Sequence, residues 1–323
     1  MAGIDLHTHL APRLDPRRFP AGVDQDERSR LTIDGTPVGP PGLYRPELLE
    51  AYLDERSLDE AVVSVPPPFF RQRLSEADAA RWAGAVNDGL LAATEHQPRL
   101  SPLAYLPLEH PGVARDEYHR IRRDARWVGV VGSAGGRSVS LADDALQPLW
   151  RALDDDARLT LLHPGSSPDE RLREFYLSNL LGNPVETAVA AAHLVFGDVL
   201  ARWPSVRVLL VHCGGCVPGL VGRWEHGVQT DRPGLQPLTE PPRVAVRRFY
   251  VDCLSHDEGV LDHAVQTFGE DKVVLGSDWP FPMGIEDPRT FVARRGEAFA
   301  GRVAVGNARH ALGRSVRPLT SAQ

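Results

Sequence analysis

The chemistry in this chain is carried by imidazoles at particular spacings. His7-Thr8-His9 closes the first apolar run, Gly3-Ile-Asp-Leu-His7. At the two-residue period of a strand, both imidazoles point to one side while Thr8 points to the other. His163 ends the run Leu159–His163, His212 ends Val206–His212, and Asp278 follows Gly276-Ser277 just after Lys272–Gly276. Neutral imidazoles with one carboxylate suit Zn²⁺, Mn²⁺ or Fe²⁺, with positions left open for water or substrate. Taken singly, each signal is bland: an HxH pair arises by chance, and His163 alone reads equally as a core histidine. Together they carry weight because all of them fall at strand ends. His96, His110, His119, His193, His263 and His310 fall in helices or loops and read as surface or packing residues.

The elements that must position these residues recur along the whole chain. Candidate strands are Gly3–His7, Ala61–Val65, Leu100–Leu106, Trp127–Val131, Leu159–His163, Val206–His212, Arg248–Asp252 and Lys272–Gly276. Helical stretches such as Pro46–Ser57, Glu76–His96, Leu146–Asp156 and Glu186–Trp203 lie between them. Strands alternating with helices over this length predict a (β/α)8 TIM barrel, whose catalytic groups gather at strand C-termini. A doubly wound sheet is the alternative, but no Gly-rich turn follows an early strand. The Pro-, Gly- and charge-rich stretch Ala11–Gly42 shows no period and reads as a long active-site loop insertion after strand 1. One domain is expected over residues 1–314, followed by a tail at 315–323.

Composition narrows the chemistry. Of 36 basic residues only Lys272 is a lysine, leaving 35 arginines. Schiff-base, pyridoxal-phosphate and P-loop chemistries each need a central lysine, so they are excluded unless Lys272 serves. A net charge of −7 disfavours a nucleic-acid partner. No h-region or long apolar run suggests secretion or a membrane, and a cytoplasmic protein is expected. Cys213, Cys216 and Cys253 are too few for a disulfide framework. Cys213-x-x-Cys216 lacks the further ligands of a zinc site or a thioredoxin context.

His7-x-His9, His163, His212 and Asp278, in this order on strands 1, 5, 6 and 8, resemble the metal-dependent amidohydrolase superfamily. Further segments are similar to its 2-amino-3-carboxymuconate-6-semialdehyde decarboxylase-like (amidohydrolase 2) branch. They are Gly182-Asn-Pro-Val-Glu186-Thr187, Val211-His-Cys-Gly-Gly215, Gly222-Arg223-Trp-Glu-His226, Phe249-Tyr-Val-Asp252 with His256-Asp257, Gly276-Ser-Asp278-Trp-Pro280-Phe281-Pro282, and Gly306-Asn307-Ala308. The resemblance runs in order from residue 4 to about residue 313. Many members of the superfamily bridge two metals with a carboxylated lysine at the end of strand 4. Here that strand ends Val130-Val131-Gly132-Ser133, so a mononuclear site is implied.

The resemblance implies that His7, His9, His163 and Asp278 hold one divalent metal, zinc before manganese or iron. It implies that His212 activates metal-bound water as general base, and that Asp278 also relays a proton. Arg223 would bind a substrate carboxylate across a homodimer interface, and Trp279 and Phe281 would line the pocket. The implied activity is non-oxidative decarboxylation of a small unsaturated or aromatic carboxylic acid. A hydrolase of amide, lactone or C–C bonds, or a hydratase, could use the same site, and a non-catalytic barrel is the reading from another class. One departure stands out. The branch has an arginine after an Asp-Gly pair in the first loop, whereas Asp34-Gly35 here is followed by Thr36-Pro37-Val38-Gly39. Arg30 and Arg45 are the nearby arginines that could replace it.

Overall fold

The computed structural model describes residues 3–19, 22–27, 30–137 and 140–314; the expected tail, 315–323, lies outside the described residues. Eight parallel strands lie in sequence order: β1 Gly3–His9, β2 Leu58–Ser64, β3 Leu100–Tyr105, β4 Gly129–Ser133, β5 Leu159–His163, β6 Arg207–Leu210, β7 Tyr250–Asp252 and β8 Val273–Val274. The ring closes between β8 and β1 through bridges at Asp5–Leu275 and Thr8–Trp279. Backbone bonds from Leu6 N–H to Leu275 O (2.9 Å) and from His9 N–H to Trp279 O (2.9 Å) join the same seam. The fold is the TIM barrel that the alternation of runs predicts. Strands β4 and β5 are buried at every position, as expected when helices cover the outer face and side chains fill the inner one.

The helices are α1 Pro46–Glu55, α2 Glu76–Thr94, α3 Pro111–Ile121, α4 Gln147–Asp155, α5 Asn183–Phe196, α6 Val217–Gln229 and α7 Glu258–Phe268, with short turns beyond. In α2, Ser75 caps the N-terminus through the Asp78 amide, and Trp82, Ala83, Val86 and Leu90 form the buried stripe. The helix expected over Glu186–Trp203 is two. Gly197 ends α5, Asp198 takes a left-handed φ of 53°, and Val199–Arg202 restarts the turn. Strand β4 begins two residues later than its apolar run, because a turn bonds Trp127 N–H to Asp124 O. That shift brings its last residue, Ser133, opposite His163.

The 11–42 insertion is not structureless. Val23–Gln25, Leu31–Ile33 and Thr36–Pro37 form a three-stranded antiparallel sheet. Asp34 and Gly35, with φ of 49° and 80°, make the two-residue hairpin turn that an Asp-Gly pair favours. The strands are too short for a visible period, yet Leu31, Ile33, Val38 and Leu43 are buried. The end of the insertion lies against the segment after Asp278. A Cβ on Gly39 would fall 3.4 Å from the Phe281 ring, and one on Gly42 3.1 Å from Pro280. No helix among the described residues is long and apolar enough to cross a membrane.

Candidate metal centre

His7 and His9 leave β1 on its inner face, and both are fully buried. Their Nε2 atoms stand 3.2 Å apart. Asp278 Oδ1 lies 3.0 Å from His9 Nε2 and 3.5 Å from His7 Nε2. One ligand atom from each of His7, His9, His163 and Asp278 fits within a 4.8 Å span. The remaining nitrogens fix the tautomers. His7 Nδ1 donates to Asp252 Oδ2 at 2.7 Å, and His163 Nδ1 to Pro164 O at 3.1 Å. His9 Nδ1 meets Ser64 Oγ at 3.1 Å, and that hydroxyl donates onward to Thr8 O. Each ring therefore turns an Nε2 lone pair inward, and His163 Nε2, buried, has no partner at all. Convergent lone pairs, a carboxylate oxygen and outer hydrogen bonds that orient each ring are the features of a divalent-metal site. The residues present fit the expected ion, and no cysteine belongs to this cluster.

Burial and charge set the protonation states. Burial pulls His163 far below its ordinary value, with the neighbouring histidines adding to the effect. Burial also lowers His9. His7 suffers the same desolvation, but its bond to Asp252 and the charge of Asp278 outweigh it and raise the group. Asp278 resists burial because the imidazoles of His9, His7 and His212 crowd around its carboxylate, so it sits well below the carboxylate range.

His212 stands beside the cluster rather than in it. Its ring centroid is 5.3 Å from that of His163 and 5.5 Å from that of His7. Strand β6 stops at Leu210, and His212 takes a φ of 54° in a left-handed turn with Cys213 and Gly214. Burial pulls it down to about 4 against the pull of Asp278. It is neutral at neutral pH, and its Nδ1 has no partner.

The remaining expected residues separate. Phe281 meets the His9 ring edge-on at 5.4 Å. The Trp279 ring instead packs on the rim against Tyr52, 6.2 Å away, and beside Gly42. Arg223 is exposed on α6, outside the barrel mouth of its own chain. Arg30 is bound to Asp26 at 2.8 Å and Arg45 to Glu47 at 2.9 Å, so neither nearby arginine enters the site.

Two carboxylates at the centre have no place among the expected site residues. Asp252, at the end of β7, holds His7. Asp5, two residues before His7, accepts the amides of His7 (3.1 Å) and Ser277 (3.2 Å) through Oδ1. Burial pushes Asp5 up to about 6. The signal for both was available: a carboxylate at a buried strand end, and an i, i+2, i+4 series Asp5, His7, His9 on one strand face.

Comparison with known proteins places the chain among decarboxylase relatives by sequence and TIM barrels by fold. The chain is 30% identical, over 87% of its length and 82% of the relative's, to 2-amino-3-carboxymuconate-6-semialdehyde decarboxylase from Dictyostelium discoideum. In fold it is similar to 5-carboxyvanillate decarboxylase from Sphingomonas paucimobilis, at TM-score 0.80 and 19% identity, covering 97% of this chain and 99% of that one. It is also similar to a dihydroxybenzoic acid decarboxylase from Polaromonas sp. solved with manganese and 2-nitroresorcinol, at TM-score 0.77 and 20% identity, covering 97% of each chain. Residues 4–314 match the amidohydrolase family, and the chain belongs to it.

Proposed function

We propose that this protein is a metal-dependent, non-oxidative decarboxylase of a small unsaturated or aromatic carboxylic acid. The observation that carries the reading is the His7, His9, His163 and Asp278 cluster with neutral His212 alongside. Its relatives by sequence and fold bear decarboxylase names, which favours carbon–carbon cleavage over hydrolysis or hydration.

The four ligands would hold one divalent ion, zinc on the N/O donor set, with manganese, the ion of the Polaromonas enzyme, as the second candidate. Such an ion supplies a Lewis acid and a water of lowered pKa. Neutral His212 takes a proton from water and delivers it to the carbon bearing the carboxylate; the C–C bond then breaks, its electron pair stays with that carbon beside the new C–H bond, and the CO₂ released with the remaining hydroxide amounts to bicarbonate. Asp278, ionised beside His9, would ligate the ion and relay the proton. Phe281 supplies an apolar wall beside His9, and Trp279 supports it from the rim.

Arg223 would bind a substrate carboxylate from a neighbouring copy, since a planar guanidinium suits bidentate contact. A homodimer through this side of the barrel is supported by exposed Phe175, Tyr176, Leu180, Leu181, Val185 and Val189 ahead of and along α5. The expected compartment is the cytoplasm, where free thiols such as Cys213, Cys216 and Cys253 persist.

The test is product analysis with metal-reconstituted protein and a panel of aromatic and muconate-type acids. Stoichiometric CO₂ with a product lacking one carboxyl supports the reading. Substrate consumption without CO₂ transfers it to hydrolase or hydratase, and failure to retain metal after reconstitution favours the non-catalytic barrel.

A further inference from the structure

Asp252 has no role in the chemistry above, yet it touches more of the mouth's frame than any ligand. It is fully buried at the end of β7. Oδ2 accepts from His7 Nδ1 at 2.7 Å and from the His212 backbone N–H at 3.0 Å. Oδ1 accepts from the Cys213 N–H at 2.7 Å and the Leu254 N–H at 3.1 Å. One carboxylate thus binds a metal-facing ring on β1 and the turn that presents the base after β6.

That turn needs a partner. His212 and Cys213 hold φ of 54° and 56°, a region that costs side-chain-bearing residues energy unless surrounding bonds enforce it. Asp252 satisfies both of their amides. Its position is in turn fixed from the β8 side. A Cβ on Gly276 would lie 2.6 Å from the Cβ of Asp252 and 2.9 Å from that of His7. The chain leading to Asp278 therefore passes directly against the pair.

We infer that Asp252 is a positioning residue that locks the ligand His7 and the His212 turn into one frame, so that loading the metal orders the base. The inference rests on the metal-site reading above. A carboxylate that orients a ligating imidazole commonly contributes ten- to a hundredfold in metal affinity. The sharing of its oxygens with the 212–213 amides extends that effect to the base, which is no ligand itself.

The experiment uses Zn²⁺ as probe and needs no variant in its first arm. Hydrogen exchange of the amides of His212 and Cys213 is measured in chelator-treated protein before and after Zn²⁺ addition. Slower exchange after addition is expected, and unchanged exchange despite Zn²⁺ uptake overturns the coupling. In the second arm, Asp252→Asn keeps the side chain's shape but turns an amide NH₂ towards N–H donors. Its Zn²⁺ dissociation constant should rise about ten- to a hundredfold, and kcat at saturating Zn²⁺ should stay depressed about tenfold or more with a smaller change in KM. Unaltered Zn²⁺ affinity, or full recovery of kcat at saturating Zn²⁺, refutes it. An unaltered chain that takes up no Zn²⁺ brings down the metal-site reading together with this one. Uptake with unchanged exchange brings down this one alone.

Discussion

The two ends of the barrel handle buried polarity in opposite ways. At the N-terminal end of the strands most of the bonds are closed, with Thr160 Oγ1 near the start of β5 as an exception. Asn307 Nδ2 donates to Glu270 O and Val273 O, each at 2.7 Å. The Tyr250 hydroxyl meets His310 Nδ1 at 2.6 Å, and Lys272 Nζ sits 4.8 Å over the Tyr250 ring. Arg99 ties Leu58 O and Asp59 O at the foot of β2. At the mouth, by contrast, His163 Nε2, His212 Nδ1 and Asp5 Oδ2 are buried with no partner. Native interiors rarely leave such groups unmatched. Where they do so together, around converging lone pairs, the open valences belong to chemistry rather than to stability.

Substitutions at the two ends should therefore separate function from stability. The largest effect is expected for His163→Ala, which removes a ligand. Metal analysis should find less than about a tenth of the parent content, with activity lost alongside; full metal retention would take His163 out of the ligand set. Next comes His212→Ala. Bound metal should persist while kcat falls roughly a hundred- to ten-thousandfold, and near-normal turnover would end its assignment as base.

Acid should act on the mouth through its buried neutral imidazoles. His212 sits at about 4 in the fold and near its ordinary ~6.5 when unfolded. Between those values the unfolded chain binds a proton that the folded one refuses, so stability falls as pH falls through this window. Thermal unfolding of chelator-treated protein should show that decline, and His212→Ala should make it shallower while His9 and His163 keep the remainder; equal slopes would contradict the buried neutral state. At the other end, Asn307→Ala should cost about 1–3 kcal/mol by leaving the buried Val273 carbonyl and the part-buried Glu270 carbonyl unmatched, with kcat unchanged in the metal-loaded enzyme. The smallest effect is expected for Tyr250→Phe, about 1 kcal/mol from a single hydrogen bond in denaturant melts. A large loss of kcat in either base-end variant would erase the contrast.

Much of this was legible in the sequence, for a physical reason. Strands buried on both faces read as unbroken apolar runs, so β1 to β8 surface as a series, and polar residues ending such runs stand out: His7, His9, His163 and Asp278. What stayed hidden depends on bonds between distant segments. Asp252 looks like any strand terminus until His7, 245 residues away, is folded beside it. The insertion's strands are only two or three residues long, below the length at which alternation is visible, so the stretch reads as a loop although Asp34-Gly35 is a turn-forming pair. The different placements of Phe281, against His9, and Trp279, against Tyr52 and Gly42, depend on tertiary packing that spacing does not reveal.

The seam between β1 and β8 joins the two ends of the polypeptide's course around the ring, and its pairing is by separate bridges rather than a continuous ladder. His7 and His9 stand on one bank of that seam and Asp278 on the other. An ion held from both banks, as proposed, would be a clasp on the ring as well as a reagent within it. Its removal should loosen the barrel at this join first, and calorimetry with and without chelator should register the catalytic ion as a contribution to melting temperature. Selection to keep the ion for chemistry would then also have relaxed any demand for a complete β1–β8 ladder.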